Sequence, residues 1–186
     1  MRNTKKHMLT KVILLMIAFH GFSLEAKAAR QVAFVTGGFR RSVNVKNIEH
    51  LAKTGKARGL LKDLLKFGNQ DPEKISGLLN QEVELPIVLT SRLINSKIGE
   101  AILGRVAKVI HPVKVSDPKV AIPAIRAGII LGIAERGNGL TAVDFMKAYP
   151  TDVMAISIPE LLKVVDKVNS VSDLIKFFSS SPLEKL

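Results

Sequence analysis

Residues 118–134 constrain the fold of this chain more than any other stretch. They read Pro-Lys-Val-Ala-Ile-Pro-Ala-Ile-Arg-Ala-Gly-Ile-Ile-Leu-Gly-Ile-Ala, and past Lys119 the only charge is Arg126. Asp117 followed by Pro118 is the pattern of a helix N-cap and first helical residue. A helix apolar nearly all round belongs in a core or a membrane. The run is short against the roughly 20 residues of a bilayer span, and an arginine sits near its middle. The expectation is therefore a buried central helix. Gly128 and Gly132, four apart, share one face. Missing side chains there let another helix come close, which is read as packing and not as a membrane dimer motif.

The N-terminus bears on compartment. Arg2, Lys5, Lys6 and Lys11 precede the apolar run Val12–Phe19, and Ala26-Lys27-Ala28 follows. Basic, apolar, small-x-small is the layout of a secretory signal, with cleavage expected after Ala28. An uncleaved anchor is the alternative, but the apolar run is short for it. Residues 1–28 carry a net +4 of the chain's +12, so the remainder is +8. That balance favours anionic neighbours, such as a lipid head-group surface or an acidic polymer. Cysteine is absent, which excludes disulfides, thiolate metal sites and a cysteine nucleophile.

After the signal, Gln31–Thr36 and Phe39–Val45 read as two strands joined by Gly37-Gly38, a hairpin turn. Asn44 caps a helix to about Lys53 that Gly55 ends. Ala57–Phe67 follows with Leu60, Leu61, Leu64 and Leu65 inward and a basic row, Arg58, Lys62 and Lys66, on the solvated side. Asp71-Pro72 starts a helix to about Gln81, and Pro86–Ile94 and Lys97–Ile110 are two more. His111–Ser116 is a linker into the central helix. Gly137-Asn138-Gly139 is a turn, and Thr141 caps a short helix stopped by Pro150. Residues 152–158 alternate as a third strand, pairing with the hairpin. Ser157 and Glu160 match a capping box for a closing helix to about Phe178.

The expected fold is thus mainly α. It is a compact multi-helix domain around a buried central helix, with a small antiparallel sheet made of the N-terminal hairpin and the strand near residues 152–158. The expected organisation is a signal peptide at 1–28, one helical domain at 29–178, and a loose tail at 179–186.

Signs of chemistry are few. His50 and His111 are the histidines beyond the signal, and both read as surface or helix-end residues. His111 is close in sequence to Asp117, but no serine stands in a Gly-x-Ser-x-Gly elbow. Metal-ligand spacings such as His-x-x-x-His, and a phosphate-cradling Gly-x-x-x-x-Gly-Lys, are also lacking. No catalytic, cofactor-binding or metal residue is assigned. Tyr149 is the single tyrosine and tryptophan is absent, so the basic charge does not read as nucleic-acid binding.

The order of pieces nonetheless resembles a known family. Ser42-Val43-Asn44-Val45, Leu93-Ile94-Asn95-Ser96-Lys97-Ile98-Gly99-Glu100-Ala101, Ala124–Leu131, Gly139-Leu140-Thr141 and Tyr149-Pro150 carry the likeness. It is to the cyanobacterial domain of unknown function 1400, catalogued with alpha/beta hydrolases and preceding the hydrolase domain in longer members. Against that resemblance, this chain is expected to be the domain standing alone, and its signal layout is expected to export it to a periplasm, a thylakoid lumen or the exterior. The functional expectation is a non-catalytic helical module meeting a protein partner, another copy of itself, or an anionic membrane surface. A weak esterase or lipase using a serine with His111, and a carrier of an apolar ligand, are the alternatives.

Overall fold

The computed structural model describes residues 28–165. The expected signal, apart from Ala28, the far half of the closing helix and the tail lie outside the described residues. Strands β1 (Gln31–Thr36) and β2 (Phe39–Asn44) form the hairpin, with Thr36 opposite Phe39 across Gly37-Gly38. Gly37 takes φ 56°, a value that side chains resist. Asn44 then starts α1 (Val45–Thr54), its Oδ1 accepting the Lys46 N–H at 2.9 Å. Gly55 closes α1 at φ 69°, donating to the Leu51 carbonyl at 2.8 Å.

Helices α2 (Gly59–Phe67) and α3 (Pro72–Asn80) follow, the latter capped by the Asp71 carboxylate. Ser76 and Asn80 both donate to the Ala52 carbonyl, at 2.9 and 2.6 Å, and so pin α3 on α1. Then come β3 (Val83–Glu84), α4 (Ile87–Ile94), α5 (Lys97–Val109) and β4 (Ile110–Pro112). The long α6 (Pro118–Arg136), β5 (Gly139–Leu140), α7 (Ala142–Ala148), β6 (Val153–Ser157) and α8 (Ile158–Val165) complete the described chain.

The sheet order is β2-β1-β6-β4, and a second ribbon pairs β3 with β5. β6 does join the hairpin, but it lies parallel to β1, with Val32 opposite Met154. β4 pairs antiparallel on the other side of β6, Ile110 facing Ile156. The sheet is therefore mixed and not wholly antiparallel, and part of the expected linker at 111–116 is a strand. Both differences have a physical cause. The segment from β1 to β6 is far longer than the crossover a parallel pair requires. Pro112 hides β4 from sequence reading, yet β4 is an edge strand, where a residue without an N–H costs little.

The core gathers Val32, Val43 and Met154 from the sheet with Leu51, Ile125 and Tyr149 from the helices, all nearly fully buried. α6 is its hub, touching α4, α5, α7 and β4. It buries Ala121, Ala124, Ile125, Gly128, Gly132 and Ile133, while Val120 and Leu131 remain 44% and 43% exposed. Gly128 and Gly132 are packing residues. A Cβ at Gly128 would lie 2.9 Å from the Phe145 ring, and one at Gly132 would press on Leu140. Among the described residues no helix is long and apolar enough to cross a membrane.

α4 leaves much of its apolar surface outside the core. Thr90 and Ile94 are buried, whereas Val88, Leu89 and Leu93 are 58%, 63% and 51% exposed. An eight-residue helix carrying this many aliphatic side chains has more of them than one packed side can hold. Arg126 ties the end of α4 to α6, its Nε donating to the Ile94 carbonyl at 3.1 Å.

Candidate functional site

Three polar groupings stand out among the described residues. The first is the pair of histidines. On α1, the Thr54 hydroxyl donates to the His50 carbonyl at 2.8 Å, and its oxygen lies 3.2 Å from His50 Nε2. With that hydroxyl proton committed, Nε2 is the donor of the second contact. Burial, with the nearby Arg58, pushes the His50 imidazole below its ordinary value. On β4, His111 Nδ1 is 3.0 Å from the Pro112 carbonyl, an acceptor only, so Nδ1 carries the proton. Among the described residues neither ring is hydrogen-bonded to a serine or a carboxylate. Asp117, near His111 in sequence, instead caps α6 by accepting from the Lys119 N–H at 2.8 Å.

The second grouping joins α6, α7 and the segment entering β3. Arg136 at the end of α6 reaches Asp144 Oδ2 at 2.8 Å and Glu82 Oε2 at 3.0 Å. Asp144 Oδ2 also accepts from the Thr141 hydroxyl at 2.6 Å and from the Thr141 N–H at 3.2 Å, while Thr141 Oγ1 accepts from the Asp144 N–H, closing a capping box. Burial pushes the Asp144 carboxyl up. Hydrogen bonds from Thr141 and the Arg136 guanidinium outweigh it and hold the group below its usual range. This is a structural clasp. The Thr141-x-x-Asp144 spacing was its legible half, whereas nothing local in sequence connects Glu82 with Arg136.

The third is a cleft of about 540 Å³ at the open end of the sheet. Val35, Phe39, Arg40 and Arg41 of the hairpin line it together with His111 and Val113. β-sheet pairing builds it: Arg40 lies opposite Val35 on β1, and His111 lies opposite Ala155 on β6. Sequence reading missed this site because it took the residues around His111 for a linker. The basic row expected on α2 behaves as a solvated face, with Arg58, Lys62 and Lys66 all exposed. One polar group stands apart from these three. Tyr149 is fully buried, edge-on to Phe145 at a centroid distance of 5.7 Å, and its hydroxyl has no hydrogen-bond partner among the described residues.

Searches of curated proteins and of solved structures return no match. A family model does match, over residues 28–157, which takes in every described strand and the helices between them up to the end of β6. On that match the chain belongs to the family described as alpha/beta hydrolase of unknown function, DUF1400.

Proposed function

We propose that this protein is an exported, non-catalytic module that works by docking on a protein partner or on the envelope surface. The outward side of α4 carries the reading. Val88, Leu89 and Leu93, with Ile98 from the first turn of α5, leave half or more of their surface in water. Arg92 is exposed on the same helix. Aliphatic side chains grouped in this way mark interaction surfaces more often than they are tolerated idly. Either an apolar patch on a partner or a lipid surface with anionic head groups suits this mixture of apolar and positive groups.

The test uses purified protein and the double substitution Leu89→Ser, Leu93→Ser. Sedimentation velocity reads self-association, flotation with phosphatidylglycerol vesicles reads lipid binding, and cross-linking in the envelope reads a partner. At least one should be positive in the parent and reduced in the variant. Three negative results in the parent remove the proposal. The family description carries ester hydrolysis as the alternative. Its test is a panel of acyl esters with His111→Ala, where no rate in the parent, or an unchanged rate in the variant, removes it.

A further inference from the structure

We propose that the cleft between the hairpin tip and β4 binds an anionic group, a phosphate or a carboxylate, carried on an apolar body. Arg40, Arg41 and His111 line the cleft, and none of the described lining residues is acidic. Among the described residues no carboxylate pairs with Arg40 or Arg41. Arg40 and Arg41 both line the cleft without a counter-charge, so their positive charges attract an anion there. Their planar forks match the oxygens of phosphate and carboxylate in pairs.

His111 adds direction. Its Nδ1–H is spent on the Pro112 carbonyl, so Nε2 is the nitrogen left for a ligand. Nε2 accepts from a protonated phosphate oxygen, or donates once the ring is protonated. The turn leaves room, since a Cβ at Gly37 or Gly38 would meet nothing within 4 Å. Val35, Val113 and the 78% exposed Phe39 supply apolar walls for a carbon chain beside the charge. A volume of about 540 Å³ falls within the ~300–1,000 Å³ common for small-molecule sites.

Titration calorimetry with octyl phosphate below its micelle concentration tests the site, with inorganic phosphate in parallel. The parent should bind octyl phosphate saturably and more tightly than inorganic phosphate. Arg40→Gln with Arg41→Gln should weaken binding at least about tenfold, while Arg58→Gln, an exposed arginine outside the cleft, leaves it unchanged. All three arginines are exposed, so the variants keep the fold. No saturable binding, or an equal loss in Arg58→Gln, overturns the proposal. Flotation with phosphatidylglycerol vesicles then names the source of the anion. Flotation that the double variant loses identifies a lipid head group, and octyl phosphate binding without flotation identifies a soluble amphiphile.

Discussion

Replacing Tyr149 with phenylalanine should make this protein more stable. The ring is 0% exposed and packs edge-on against Phe145 with an interplanar angle of 64°. Phenylalanine keeps that ring and its contact with α6, so no cavity opens. What leaves is a buried hydroxyl without a partner. Burying such a group costs about 1–3 kcal/mol, and removing it returns most of that penalty. For a domain of this size, each kcal/mol moves the midpoint by about 2–6 °C, so a rise of roughly 3–8 °C is expected in thermal unfolding followed by circular dichroism. Alkaline titration supplies a second readout. Burial pushes the Tyr149 phenol well above its ordinary value. The folded state therefore holds a proton that the unfolded state releases above pH about 10. Stability is intact below that pH and falls as pH rises past it, and the Phe variant lacks this fall. A variant less stable than the parent by about 1 kcal/mol or more would mean that the hydroxyl is bonded, and the reasoning fails.

Four further outcomes follow from the same packing. Gly99→Ala drives a Cβ into the Leu93 carbonyl, a backbone atom that cannot swing aside, and should cost ~2 kcal/mol or more in urea unfolding. Gly77→Ala, exposed in the interior of α3 with nothing within 4 Å of the new atom, should instead gain ~0.5–1 kcal/mol. Thr141→Ala removes the α7 cap and should cost about 1 kcal/mol. The Asp144 carboxyl is held below its ordinary value, so its share of stability is present at neutral pH and lost as pH falls through the acid range. Asp144→Asn should flatten that acid limb in a pH series of melts.

Local chemistry made most of the helices legible. Asn44, Asp71, Ser96, Asp117 and Thr141 all cap the helices that their sequence context announces. Gly128 and Gly132 face α7 as small residues should. Long-range pairing was less legible. The strand at residues 152–158 showed its alternation, but not the direction in which it would lie beside β1, because direction depends on the connection and not on the strand. β4 is three residues long and ends in proline, so no period could expose it. The outward side of α4 was hidden for a different reason: a helix apolar on several sides does not say which side is packed until its neighbours are placed. The cleft inherits these gaps, since it exists only once β4 stands in the sheet.

The order β2-β1-β6-β4 puts the most C-terminal of the four strands inside the sheet. During synthesis the hairpin emerges early and waits, one long edge open, until residue 157 has left the ribosome. Only then do β1 and β4 both acquire their neighbour. A nascent or truncated product lacking β6 is therefore a sheet in two pieces, an unfinished article that proteases and chaperones can recognise. Emergence of β6 and closure of the sheet are one event.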